Sequence, residues 1–161
     1  MRGTPFLFEG EELGLLDAVV PPDRVVDPGG RDGCRAPIPW TSQPPHGWDG
    51  APTWLPFPPE QTARSVESSR ADESSIMHLY RRLIAARHDS RALRGGSLTL
   101  LDAPDGVVAY ERVDGDDRRT VVVNFTDEPH AVDVKGDVVV SSVDRDRFDG
   151  TLAPDEAVIL R

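Results

Sequence analysis

Between residues 17 and 70 the chain has almost no hydrophobic periodicity and is dense in proline, glycine and tryptophan. Proline fixes φ and removes a backbone donor, so neither a long helix nor a central strand can run through such a stretch. A structureless connection of that length inside a compact domain is unusual. It fits a loop laid over a larger body. Most of the fifteen prolines fall before residue 60, and a hydrophobic fraction of 38% supports only a modest core. A length of 161 residues allows one domain, or one small domain plus part of another.

The flanks are more regular. Residues 4–16 are apolar with an acidic insertion, Glu9, Glu11 and Glu12. They read as a short buried strand over Pro5 to Phe8, a turn at Gly10 and a helical turn. Carboxylates suit the free amides at the start of that turn. Residues 72–94 read as one helix, with Ile76, Leu79, Tyr80, Leu83, Ile84 and Arg87 at i, i+3, i+4, i+7 spacing. Asp72 and Ser74 or Ser75 are its expected caps, and Gly95-Gly96 its stop. Beyond Gly96 the pattern becomes short strands: 98–101, 107–112, 120–125, 131–134, 138–142 and 157–160. Ala-Pro-Asp-Gly at 103–106 and Asp-Gly-Asp-Asp at 114–117 read as hairpin turns. Six strands at this spacing predict an antiparallel sandwich or open barrel. No internal repeat is evident.

The charge excludes some partners. A net charge of −10 argues against nucleic acid and anionic membranes, which need a positive face. No segment approaches the roughly 18 apolar residues of a membrane span. The start, Met1-Arg2-Gly3, lacks the apolar run and cleavage site of a secretory leader, so the expected location is cytoplasmic. The single cysteine, Cys34, rules out an internal disulfide and reads as a buried or loop-packing thiol. No metal or cofactor is expected. His46 stands alone in the loop, and His78 and His88 are too far apart on the helix to share a face. Asp144, Asp146, Asp149 and Gly150 do not fit the spacing of a calcium loop.

The most chemically informative run is Gly29 to Trp40, Gly-Gly-Arg-Asp-Gly-Cys-Arg-Ala-Pro-Ile-Pro-Trp. It sets Arg31, Asp32 and Arg35 at fixed offsets ahead of Trp40. Planar cations, a carboxylate and an indole are groups that grip polyhydroxylated ligands. The candidate binding residues are therefore Arg35, with Asp32 as its ion-pair partner, Arg31 and Trp40. The competing reading is that Arg31, Asp32 and Arg35 brace the loop by ion pairs. Trp40, Trp48 and Trp54 lie within fifteen residues. They invite a carbohydrate-binding reading, against the commoner one of indoles packed under a loop.

This run, with Gly3-Thr4-Pro5-Phe6-Leu7-Phe8-Glu9-Gly10-Glu11-Glu12-Leu13-Gly14 before it, resembles the last part of a family 13 α-glucosidase. The resemblance continues through Ser75-Ile76-Met77-His78-Leu79-Tyr80-Arg81-Arg82-Leu83-Ile84 to Asn124-Phe125. It implies an α+β fragment. Residues 1–95 would be the final βα unit of a (β/α)8 catalytic barrel, with Pro5 to Phe8 as its eighth strand and a long loop before its helix. Residues 96–161 would be the all-β C-terminal sandwich domain. It also implies that the nucleophile, the general acid and the third carboxylate lie upstream of residue 1. Glu11 and Glu12, adjacent and therefore divergent, would support the loop. Phe8-Glu9 stands where relatives usually read Tyr-Gln, so the hydrogen bonds at that strand end are in question.

The resemblance implies hydrolysis of α-linked glucose from oligosaccharides, with no catalytic residue in this chain and no activity by the chain alone. Arg35 would lie near the acceptor-side sugar. Met1-Arg2 stand where relatives run on from earlier barrel sequence, so a start codon inside a longer ancestral frame, or a truncated gene, is expected. The alternatives are a stand-alone carbohydrate-binding module, or one half of a split glycosidase joined by a complementing chain that carries the missing barrel.

Overall fold

The computed structural model describes residues 2–50 and 52–161. Met1, of the Met1-Arg2 pair that stands where relatives run on, lies outside them. The chain forms two compact units, one of residues up to Pro5 together with Arg81–Arg161, the other Phe6–Tyr80. No helix among the described residues is long and apolar enough to cross a membrane.

The Phe6–Tyr80 unit is mostly loop. Its regular pieces are one-turn 3-10 helices at Glu11–Leu13, Pro22–Arg24 and Gly33–Arg35, and the short helix α1 (Val66–Ala71). A small apolar cluster of Leu13, Ile38, Val66 and Met77 is its core. Ser65 caps α1 by accepting from the Ser68 amide at 3.1 Å, a signal missed because the run before it has no periodicity. The expected strand at Pro5 to Phe8 is absent. Phe6 is 91% exposed, with Leu7 and Phe8 also exposed. Its apolar residues suit a strand, but a strand needs a ladder partner, and none pairs with this stretch among the described residues.

The expected single helix over 72–94 is two. Helix α2 (Ile76–Asp89) begins after Ser75, whose hydroxyl accepts from the His78 amide at 3.4 Å. It stops at Ser90, which is extended, and helix α3 (Arg91–Gly95) follows. The Ser90 hydroxyl accepts from the Leu93 amide at 3.1 Å and donates to Asp117 at 2.6 Å. Asp117 also accepts from the Ala92 amide at 2.9 Å. Two side chains thus satisfy the amides that open α3, which makes a new start at residue 90 better than continuing the old helix. Burial opposes ionisation of Asp117, but the Ser90 and Ala92 hydrogen bonds and the Arg119 charge outweigh it and hold its carboxyl below the ordinary range.

Eight strands follow. They are β1 (Ser97–Leu101), β2 (Val107–Asp114), β3 (Asp117–Asn124), β4 (His130–Ala131), β5 (Gly136–Ser141), β6 (Arg147–Phe148), β7 (Thr151–Leu152) and β8 (Ala157–Leu160). Six form one antiparallel sheet in the order β1-β2-β3-β8-β5-β6, and β4 pairs with β7. Both expected hairpin turns join their strands. The two-residue strands β6 and β7 were not expected. They exist because Phe148 and Leu152 are fully buried, not because of any run of alternating residues.

The sheet is a middle layer. One face buries Val107, Ala109, Val122, Phe148, Leu152, Val158 and Leu160 in the main core. The other packs Tyr110 and Val121 against Leu93, with Ala86, Leu98, Val123 and Ile159 around them. Period-two alternation along β2, β3 and β8 sends neighbours to opposite faces.

Two buried charges are built into this unit. The fully buried Arg112 donates to the carbonyls of Ser97 and Gly96 at 3.0 Å each and of Leu93 at 3.3 Å. It closes the α3–β1 junction, where Gly96 leaves no room for a side chain: a Cβ there would lie 2.6 Å from the Val113 carbonyl. The fully buried Glu156 accepts from the Ala153 amide at 2.7 Å and pairs with Arg145 at 3.0 Å.

Arg112→Met keeps the volume but takes the guanidinium away from the Ser97 and Gly96 carbonyls, while the Leu93 carbonyl keeps Arg87 Nη1 at 2.6 Å. It is expected to cost about 3 kcal/mol in urea unfolding, whereas Leu100→Ser, at a residue 71% exposed, stays within about 0.5 kcal/mol. A neutral result for Arg112→Met would show that water replaces the guanidinium. Asp117→Asn gives a pH test. A lowered folded pKa adds stability that is present above the unfolded value, 3.8, and lost as pH falls through the folded one. Asp117→Asn is therefore less stable than the parent near neutral pH, and the gap closes in strong acid. An equal gap at both pH values would mean that the charge contributes nothing.

Candidate functional site

The loop unit organises itself around two carboxylates. Asp27 opens the turn Asp-Pro-Gly-Gly. Its Oδ1 accepts from the Gly29 amide at 2.7 Å, and its carbonyl accepts from the Gly30 amide at 2.9 Å. The same carboxylate, 6% exposed, takes Arg31 Nε at 2.8 Å and Arg35 Nη1 at 2.7 Å on Oδ2. Arg31 Nη2 reaches Oδ1 at 3.2 Å. The Arg31 hydrogen bond, then the Gly29 amide, then Arg35 hold the Asp27 carboxyl below the ordinary range against the opposing effect of burial.

Asp32 has a different task. Its Oδ2 accepts from the amides of Val26 and Asp27 at 2.7 and 2.9 Å, so it braces the strand-like stretch that carries Asp27. Its Oδ1 is buried without a hydrogen bond among the described residues and lies 3.6 Å from Arg35 Nη1. The expected pairing of Arg35 with Asp32 is thus secondary. Asp27, which the sequence reading passed over, is the closer partner because its carboxylate lies between both guanidiniums. The Asp-Pro-Gly turn signal and the i, i+4 spacing of Asp27 and Arg31 were the available clues.

The backbone explains why the loop can close so tightly. Gly33 lies against residue 18: the Ala18 amide donates to its carbonyl at 3.1 Å, and a Cβ on Gly33 would sit 2.7 Å from the Ala18 carbonyl. The 3-10 turn that follows carries Arg35, with its side chain 44% exposed. Nη1 is committed to Asp27. Nε and Nη2 have no partner among the described residues, so half of a fixed donor fork is open. Cys34, expected to be packed away, is exposed, with Sγ 3.1 Å from the Arg31 carbonyl.

Arg31, Asp32 and Arg35 are therefore brought together around Asp27. Trp40 is held by other groups: its amide donates to the His46 carbonyl at 2.9 Å, and its carbonyl accepts from the Glu67 amide at 3.1 Å. His46 is buried, with Nδ1 2.9 Å from the Thr41 carbonyl and its ring edge-on to Phe57 at 4.8 Å. Those contacts fix the loop. Trp48 donates its indole N–H to the Ile38 carbonyl at 2.7 Å. Trp40, Trp48 and Trp54 are all 41–56% exposed, so none is a core residue. Glu12 accepts from the Gly10 amide at 3.0 Å, across the turn. Among the described residues no group of three or more His, Cys, Asp or Glu is placed to hold a metal ion.

Residues 1–96 match the model of the alpha amylase catalytic domain, and residues 93–160 match a domain of unknown function, DUF3459. The chain is 32% identical to a probable alpha-glucosidase of Rhizobium meliloti (strain 1021), over 80% of this chain and 25% of that protein. It is 32% identical to a glucan 1,6-alpha-glucosidase of Streptococcus pneumoniae serotype 4, over 86% of this chain and 31% of that protein. Among solved structures, the trehalulose synthase MutB from Pseudomonas mesoacidophila MX-45 superposes with a TM-score of 0.84 at 26% identity, over 98% of this chain and 35% of that one. The chain thus spans a quarter to about a third of these relatives. It belongs to the α-amylase family of glycoside hydrolases, family 13, and carries the end of the (β/α)8 barrel followed by the C-terminal β-domain.

Proposed function

We propose that this chain forms the C-terminal part of a retaining α-glucosidase acting on α-linked glucose oligosaccharides, with Arg35, Arg31, Asp32 and Trp40 on the substrate side of the long loop. The observation that carries the reading is the Arg35 fork, pinned at 2.7 Å on Asp27 with its remaining donors open. A pre-positioned planar donor suits sugar hydroxyls. In this reading Arg35 binds, Arg31 and Asp32 support Asp27, and Asp27 fixes the fork.

Retaining cleavage needs two carboxyls about 5 Å apart, one of them protonated. The carboxyls here whose acidity departs from the ordinary range, Asp27, Glu67, Asp72 and Asp117, are all pushed down, the opposite of what a general acid requires. Following the family resemblance, we assign the bond-breaking groups to residues outside these 161, in a longer chain or a complementing one, and the 161 residues alone are inactive. The exposed Cys34 thiol suits a reducing, cytoplasmic setting. The half-exposed indoles of Trp40, Trp48 and Trp54 favour one second reading, a carbohydrate-binding module.

The test is a chimera in which residues 2–161 replace the matching C-terminal segment of the S. pneumoniae glucan 1,6-alpha-glucosidase, assayed beside the 161-residue chain on isomaltose and maltose. The chimera is expected to hydrolyse, and the chain alone not. Within the chimera, Arg35→Ala, at a half-exposed side chain, lowers kcat/KM by about a hundredfold at unchanged Tm, and Asp27→Asn lowers kcat/KM by about tenfold together with Tm, because it removes the charge that holds both guanidiniums. Turnover by the chain alone, or an Arg35→Ala chimera with unchanged kcat/KM, would overturn the reading. A folded but inert chimera would favour the binding module.

A further inference from the structure

Helix α1 and the segment hydrogen-bonded to it frame a second feature of the loop unit. Trp40, Thr41, Val66, Glu67, Arg70 and Ala71 line an open cleft of about 550 Å³, within the usual range for small-ligand sites, roughly 300–1,000 Å³. The backbone that carries the indole at its edge is fixed. Trp40 is hydrogen-bonded through both its amide and its carbonyl, and Gly47 closes against its Cβ so tightly that a Cβ at 47 would lie 2.8 Å away. The ring is nonetheless 48% exposed.

Glu67, Arg70 and Ala71 stand at i, i+3 and i+4 on α1, so they face the same side. An ion pair between Glu67 and Arg70 would cancel their charges, but Glu67 is turned to Ser42. Its Oε2 accepts from the Ser42 amide and hydroxyl, each at 2.7 Å. Those two bonds, the amide first, hold the carboxyl below the ordinary range, so it is an ionised acceptor. Its Oε1 and the whole Arg70 guanidinium have no partner among the described residues. The cleft therefore offers an apolar plane, an anionic acceptor and a cationic donor fork side by side.

A ligand has to suit all three. An anion would meet Glu67, a cation would meet Arg70, and a purely apolar molecule would desolvate both without replacing their water. A neutral polyhydroxylated ring suits all three: its C–H face stacks on the indole, one hydroxyl donates to Glu67 and its neighbour accepts from Arg70. We infer that this cleft is a saccharide subsite that takes a glucosyl unit of an α-linked oligosaccharide, with Trp40 as the stacking platform and Glu67 and Arg70 as readers of adjacent hydroxyls. The choice of α-linked glucose rests on the function proposed above; the choice of a neutral sugar rests on the cleft alone.

The experiment uses the 161-residue chain with 15N-labelled tryptophan, titrated with maltotriose, isomaltotriose and cellotriose while the three indole N–H signals are followed. The Trp40 signal, assigned by its loss in Trp40→Phe, is expected to shift saturably with an α-linked trisaccharide and more weakly with cellotriose. Arg70→Ala and Glu67→Gln are each expected to weaken binding by about tenfold. Arg70 is exposed on a one-sided helix, so Arg70→Ala keeps the fold even if a Trp40 variant does not. No saturable shift of the Trp40 signal, or undiminished binding by Arg70→Ala, would overturn the subsite. Equal binding of cellotriose would overturn the assignment of this cleft to α-linked glucose and leave the proposed function, which rests on Arg35 and is tested by the chimera, untouched.

Discussion

One carboxylate holding two guanidiniums organises the part of this molecule that has no regular structure. A run so rich in proline and glycine cannot satisfy its polar groups with a repeating ladder, so side chains must supply the partners. Asp27 does this for Gly29, Arg31 and Arg35, and Asp32 does it for the amides of Val26 and Asp27. The two acids are not interchangeable. One collects charge, and the other holds the first in place. The open half of Arg35 follows from this division, since a guanidinium anchored through one nitrogen keeps its direction while leaving donors for a ligand.

The sheet unit meets the same requirement by other means. Its backbone is paired, and alternation buries side chains on both faces. Its few buried charges therefore reach to where pairing ends. Arg112 gathers the carbonyls at the α3–β1 junction, and Glu156 gathers an amide and Arg145 at the approach to β8. Losing one partner of such a group costs more than its net contribution suggests, because the remainder is left buried and unsatisfied.

What the sequence reveals divides along these physical lines. β1, β2, β3 and β8 were legible because alternation and turn residues agree within a few positions. β6 and β7 were not, because each is two residues long and is stabilised by one side chain of its own, Phe148 or Leu152, buried in the core. The apolar Pro5 to Phe8 run has strand composition without a paired neighbour, and composition cannot supply one. The break at Ser90 depends on Asp117, twenty-seven residues away, which no local pattern contains. In the loop, Arg31, Asp32 and Arg35 announced themselves by residue type. Their hub, Asp27, was hidden in what looked like a plain turn, and one of the two partners of the Trp40 backbone, the Glu67 amide, comes from α1, far along the chain.

The bond between Asp117 and the start of α3 also bears on the order of folding. The first turn of α3 takes its acceptor from the turn end of the β2–β3 hairpin, where Asp117 pairs with Asp114. A five-residue helix has too few internal bonds to overcome its own nucleation cost, so it gains its stability only once that hairpin is closed. Helix and hairpin then form one cooperative unit. In hydrogen exchange, the Ala92 and Leu93 amides would open together with the central strands, not fray like a free helix end.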